Sequence, residues 1–90
     1  MAIDINKHFA KEVRKYRKKI DKSQLELAEL AKVDLSTINR IERGVANITL
    51  RSAFKIAKAM HVPMYKFFLT DEETRKLERK GQIKGEPIDE

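Results

Sequence analysis

The chain has no cysteine, and only three glycines, two prolines and 7% aromatic residues among its ninety positions. The missing cysteine excludes disulfides, thiolate metal sites and thiol nucleophiles, and nothing points to an oxidising compartment. Apolar runs are only a few residues long, so no segment reads as a membrane span. The opening residues, MAIDINKHFAKEV, lack the uninterrupted apolar region of a secretory signal. A soluble cytoplasmic protein is therefore expected. Strand signals are also scarce, with no alternating run and no Asn-Gly or Asp-Gly hairpin turn. The chain is written mainly in Lys, Glu, Ala, Leu, Ile and Arg, which favours an all-α fold with one modest core.

Catalytic and metal chemistry find little to work with. His8 and His61 are far apart and have no cysteines to join them. No Ser-His-Asp set and no glycine-rich phosphate loop can be assembled, so neither an enzyme nor a cofactor or metal site is expected. Met60 and Met64, four residues apart, read as core.

Positive charge is what the chain has in abundance. Its formal net charge is +6 and its isoelectric point about 9.7. Residues 1–69 hold 15 Lys/Arg against 7 Asp/Glu, whereas residues 70–90 hold 5 against 7. A basic unit of 69 residues followed by a mildly acidic tail suggests a polyanion, nucleic acid above all, as partner of the first part.

Periodicity places the helices. Phe9, Val13, Tyr16 and Ile20 form one apolar stripe over 6–20, leaving Lys11, Arg14, Lys15, Lys18 and Lys19 in water. Ser23 with Glu26 makes a capping box for a helix over 24–31 that buries Leu27, Ala28 and Ala31. Asp34 is the next N-cap, opening a helix over 35–43 that Gly44 ends. Thr49 caps a fourth helix over 50–60, whose inward face is Ala53, Ile56, Ala57 and Met60 with Leu50 at its start. Pro63 opens a short fifth helix with Met64, Phe67 and Phe68. Thr70 and Glu73 form another capping box for a marginal sixth helix that stops at Gly81, and QIKGEPIDE beyond it reads as disordered.

The segment Ser23 to Gly44 is the most informative. Two short helices, a tight turn between them, a small Ala28 at their closest approach and apolar Val33, Ile38 and Ile41 are the spacing of a helix-turn-helix. From Val13 to Phe68 the chain resembles the Cro/cI-type, phage-repressor-like helix-turn-helix family. The match runs through Gln24 and Ala28, through Val33, Ile38 and Ile41, and through the Ile-Glu-Arg-Gly end at residues 41–44. It continues downstream in Asn47, Thr49, Leu50 and the Lys-Ile-Ala-Lys-Ala run at 55–59. The sequence departs from the family where Lys32 and His61 replace common glycines, and where Pro63 replaces a polar cap. A left-handed backbone at Lys32 costs roughly 1 kcal/mol.

The resemblance implies a compact five-helix DNA-binding domain over 1–69, with the motif at 24–43. It implies phosphate contacts from Gln24 at a helix N-terminus, from Thr37, and from Arg43, Asn47 and Arg51. Base contacts fall to Leu35, Ser36, Asn39 and Arg40, the most discriminating being Arg40 to a guanine. Arg17 and Glu42 match a pair that in this family ties the first helix to the recognition helix. Tyr65, Phe68 and Leu69 stand where many relatives place part of a dimer contact, with Phe67 in the core.

The function this implies is a sequence-specific transcriptional regulator binding double-stranded DNA as a homodimer on a palindromic operator, for example a repressor or a restriction–modification controller. Two other readings share the fold. An antitoxin would hold a protein partner with its C-terminal tail, and an interaction module would have lost DNA binding.

Overall fold

The computed structural model describes residues 4–81. The expectation of a disordered QIKGEPIDE segment therefore lies outside the described residues. The elements run in the order α1 (Ile5–Lys19), α2 (Gln24–Ala31), α3 (Leu35–Glu42), α4 (Leu50–Ala59), a 3₁₀ turn (Met64–Phe67) and α5 (Asp71–Arg79). No strand occurs among the described residues, as the composition predicts.

Each helix starts where a small polar side chain can replace the missing intrahelical acceptor. Asp4 accepts from the backbone N–H groups of Asn6 and Lys7 and so begins α1. The reciprocal Ser23/Glu26 and Thr70/Glu73 capping boxes both form, at α2 and α5, and Thr49 accepts from the Ser52 N–H at α4. Asp34 is the exception. It stands at the N-cap of α3 with extended backbone, but its side chain makes no capping bond.

The helix ends share a device that composition hides. Asp21, Lys32, Gly44 and His61 all adopt positive φ, between 56° and 74°. After each, the next N–H reaches back five residues: Lys22 to Arg17, Val33 to Ala28, Val45 to Arg40 and Val62 to Ala57. This is the Schellman closure, which satisfies carbonyls that the helix leaves open. Only one of the four turning residues is a glycine, so three closures carry a left-handed strain of about 1 kcal/mol each.

The core gathers Phe9 and Val13 of α1, Leu27, Ala28 and Ala31 of α2, and Ile38 and Ile41 of α3. Ala53, Ile56 and Ala57 of α4 join them, closed by Met60, Val62 and Phe67. Phe67 is fully buried, its ring 5.3 Å from those of both Phe9 and Tyr16. Phe68 also stacks on Phe9, at 5.6 Å. The expected fifth helix is this 3₁₀ turn. Its four residues follow Pro63, whose carbonyl accepts from Lys66 three residues on, too short a run for an α-helix. The expected sixth helix is α5, held through a His8 Nε2 bond to the Leu69 carbonyl at 3.1 Å.

Three expectations are corrected. Leu50 does not face inward; it is 78% exposed. As the first residue of α4 its side chain leans towards the N-terminus, past the edge of the core. Ile20 leaves the α1 stripe because it is the C-cap, where the chain turns away through Asp21. Arg14 and Lys15 are not free in water. Arg14 Nη1 donates to the Glu42 carbonyl, and Lys15 Nζ lies 2.9 Å from the carboxylate of Glu12, a buried acid on the same helix.

Candidate nucleic-acid interface

The helix-turn-helix is built from α2, the turn Lys32–Asp34 and α3. Ala28 and Ala31 let α2 approach α3 closely, and Leu27, Ile38 and Ile41 fill the space between them. The turn is set by Lys32 at φ 59°, ψ 46°, the left-handed geometry that the replaced glycine would take without strain.

Behind α3 lies a polar network. The Glu42 carboxylate accepts from Arg17 Nε at 2.6 Å, from Arg17 Nη2 at 2.9 Å and from Gln24 Nε2 at 3.0 Å. Arg17 Nη1 reaches the Lys22 carbonyl at 2.9 Å, which fixes the α1–α2 turn to the same cluster. Gln24 Oε1 in turn accepts from Asn39 Nδ2 at 3.5 Å. Glu42 is only 4% exposed, yet three charge-assisted bonds compensate its burial. The hydrogen bond to Glu42 raises the Arg17 pKa, partly offset by desolvation, so the guanidinium stays charged. The pairing of Arg17 with Glu42 is the one the resemblance implies, here made bidentate.

The outer side of α3 is different. Leu35, Ser36 and Arg40 are exposed, and the Arg40 side chain has no hydrogen bond or ion pair among the described residues. Thr37 and Arg40 share a polar hollow with Asn47, Thr49 and Ser52, between α3 and the loop to α4. Arg43, Asn47 and Arg51 are exposed beside it. Asn6 Nδ2 donates to Asn47 Oδ1 at 3.2 Å, which leaves the Asn47 amide N–H groups directed elsewhere.

Of the residues singled out in the sequence, Thr37, Arg40 and Asn47 thus share one hollow, and Leu35, Ser36, Arg43 and Arg51 are exposed. Gln24 and Asn39 differ from the rest in being engaged with each other; like Thr37 they are half-buried. Tyr65, Phe68 and Leu69 are all half-buried, Phe68 stacked on Phe9 of α1 and the Leu69 carbonyl bonded to His8. Sequence reasoning missed Asn6 and Arg14. A signal for Arg14 was present: it lies three residues before Arg17, on the same face of α1, opposite the open carbonyls at the end of α3.

Comparison with known proteins follows this geometry. The family model described as helix-turn-helix matches residues 13–67, more than half of the chain. The chain belongs to the helix-turn-helix family. An uncharacterized HTH-type transcriptional regulator of Archaeoglobus fulgidus is 34% identical over 61 residues, covering 68% of this chain and 86% of the relative. The family match begins within α1 and ends at Phe67, so it takes in every residue of the network and the exposed side of α3. No helix among the described residues is long and apolar enough to cross a membrane, and no cluster of acids and histidines there could hold a metal.

Proposed function

We propose that the protein is a DNA-binding transcriptional regulator that reads a specific operator with α3, as a homodimer on a palindromic site. The observation that carries this is the two-sidedness of α3. Its back is locked by the Arg17–Glu42–Gln24 network, while Leu35, Ser36 and Arg40 stand exposed on a basic surface. Membership of the helix-turn-helix family and the name of the archaeal relative support the same reading.

Phosphate and base contacts divide the work. Ser36 and Arg40 have the chemistry for base edges in the major groove, with Leu35 suited to a thymine methyl. Asn39 reaches a base with the amide hydrogen that Gln24 does not use. Gln24, Thr37, Arg43, Asn47 and Arg51 hold the backbone on either side. An eight-residue helix reads only a few base pairs, so a second copy is needed to define a site. Two-fold symmetry then sets half-sites about 34 Å apart. Self-association involves the region of Tyr65, Phe68 and Leu69.

Selection of bound DNA from a random pool tests this directly, and a palindromic consensus is the expected outcome. On that consensus Arg40→Ala loses preference among variant sequences. Arg43→Ala weakens all of them alike and reduces the salt dependence of binding by about one ion. Failure of any sequence to enrich would refute sequence-specific reading.

A further inference from the structure

Between the end of α2 and the later turns of α4 lies an open hollow of about 490 Å³. Its apolar lining comes from Leu30 and Ala31 on one side and from Phe54 and Ala59 on the other. Leu30 is 52% and Phe54 54% exposed, and neither belongs to the core. A second hollow, of about 410 Å³, shares Phe54, Lys58 and His61 with the first and runs on over Pro63 and Met64. The two make one groove along α4 into the turn at His61.

The rim of this groove is cationic. Lys32, Lys55 and Lys58 stand around it, all exposed, together with the imidazole of His61. Arg51, also exposed, adds a further cation one turn before Lys55. The acids that flank Leu30 and Lys32 in the chain, Glu29 and Asp34, line neither hollow, and no Asp or Glu occurs between Arg43 and Thr70. The side chains of Lys32 and Lys55 have no hydrogen bond or ion pair among the described residues. Lys58 leans over the Phe54 ring at 5.8 Å. Three lysines therefore surround an apolar floor with no acid to answer them.

Together the floor and the rim select the occupant. Duplex DNA offers phosphates to the lysines but nothing apolar to Leu30 and Phe54. The hollow shared by Thr37, Arg40 and Asn47 lies instead at the start of α4, beside Thr49 and Ser52. A second copy presenting the same face would set lysine against lysine, which opposes association. An anionic bilayer covers apolar side chains that protrude, whereas Leu30 and Phe54 flank a hollow. What fits is a helix with apolar side chains on one face and carboxylates beside them.

We propose that the groove between α2 and α4 docks an acidic amphipathic helix of another protein. Its apolar residues sit on Leu30 and Phe54, and its carboxylates meet Lys32, Lys55 and Lys58. The site is distinct from the exposed side of α3 and rests on neither the DNA reading nor the dimeric one.

Two peptide pools test this on the full chain. Both hold helix-forming peptides of about fifteen residues with Leu, Ile or Phe along one face. One pool carries Glu and Asp elsewhere, the other Lys and Arg. Selection should enrich the acidic pool alone, and an enriched peptide should bind with a Kd of roughly 100 μM or tighter. In NMR titrations it should shift the amide resonances of Leu30, Phe54, Lys58 and Met64 and leave those of Ser36 and Arg40 in place. Leu30→Gln with Phe54→Gln should weaken binding about tenfold or more. Lys55→Gln with Lys58→Gln should weaken it about tenfold at low salt, and less at high salt. All four side chains are exposed, so far-UV circular dichroism should show unchanged helix content. Enrichment of neither pool, or of both alike, would overturn the proposal, as would shifts centred on α3 or folded variants that bind like wild type. Binding of the full chain to anionic phospholipid vesicles that these substitutions abolish would give the groove to a membrane and overturn it. Sedimentation showing a dimer broken by Leu30→Gln with Phe54→Gln would give it to a second copy and do the same.

Discussion

Removing the Glu42 carboxylate offers the sharpest test of how the motif is held. Glu42→Ala deletes three acceptor contacts in a site that is 4% exposed. It leaves Arg17, whose side chain is 14% exposed, with a charge paired only to the Lys22 carbonyl. Stranding one member of a buried ion pair costs about 3–5 kcal/mol. A domain of this length has a total stability of roughly 5–13 kcal/mol, so a large part of it should disappear. At 4–8 °C per kcal/mol for a chain this small, the melting temperature should fall by roughly 12–40 °C. The loss comes from desolvation and not from Coulomb attraction across water. It should therefore persist in high salt, and Arg17→Met combined with Glu42→Leu should recover most of it. Circular dichroism melts of the three chains provide the measurement. A loss of less than about 1 kcal/mol in Glu42→Ala would give the pair the worth of a surface contact and refute the reasoning.

Lys32→Gly should raise stability by up to about 1 kcal/mol by relieving the left-handed residue at the turn, whereas Lys32→Ala should gain nothing; urea titrations distinguish the two. The acid limb of stability should reflect the two capping boxes. Hydrogen bonds from the Ser23 backbone and side chain lower the Glu26 pKa, and those from Thr70 lower that of Glu73. A lowered folded-state pKa contributes stability that is present above the unfolded carboxylate value and is lost as pH falls through the folded one. The melting temperature of wild type should thus drop more steeply below pH 4.5 than that of Glu26→Gln with Glu73→Gln, and parallel curves would contradict it.

Much of this architecture was legible because local chemistry and tertiary packing agree. Ser23 with Glu26, and Thr70 with Glu73, mark helix starts that need no distant partner. Apolar spacing in α2 and α3 places Leu27, Ala28, Ile38 and Ile41 inward, where the core has them. Legibility fails where the answer depends on what lies opposite. Periodicity puts Leu50 on the inward side of α4 but cannot say that the core ends before reaching it. Arg14 reads as one more solvated cation until the end of α3 arrives with an open carbonyl. The burial of Glu12 beside Lys15 is likewise set by packing and not by the apolar stripe of α1. Of the proposed site, Leu35, Ser36 and Arg40 are exposed, while the internal engagement of Gln24 and Asn39 depends on a network spanning three helices.

That network changes how the recognition surface should be understood. Gln24 and Asn39 were singled out for DNA, but in the free protein each already has a partner, and the chain of contacts ends on the buried Glu42. A side chain held this way loses little rotamer freedom on binding, so its contact with DNA carries a smaller ordering cost. Arg40 and Ser36 are held by nothing comparable and must be ordered by the groove itself. The two sets should respond differently to damage inside the protein. Disturbing Glu42 loosens Gln24 and Asn39 together and weakens binding to every sequence, because the helix loses its fixed angle to the backbone. Discrimination between sequences, which the proposed function assigns chiefly to Arg40, should survive to the extent that α3 remains a helix. On the proposed reading the buried acid sets how firmly the motif is presented, and the exposed arginine sets what it reads.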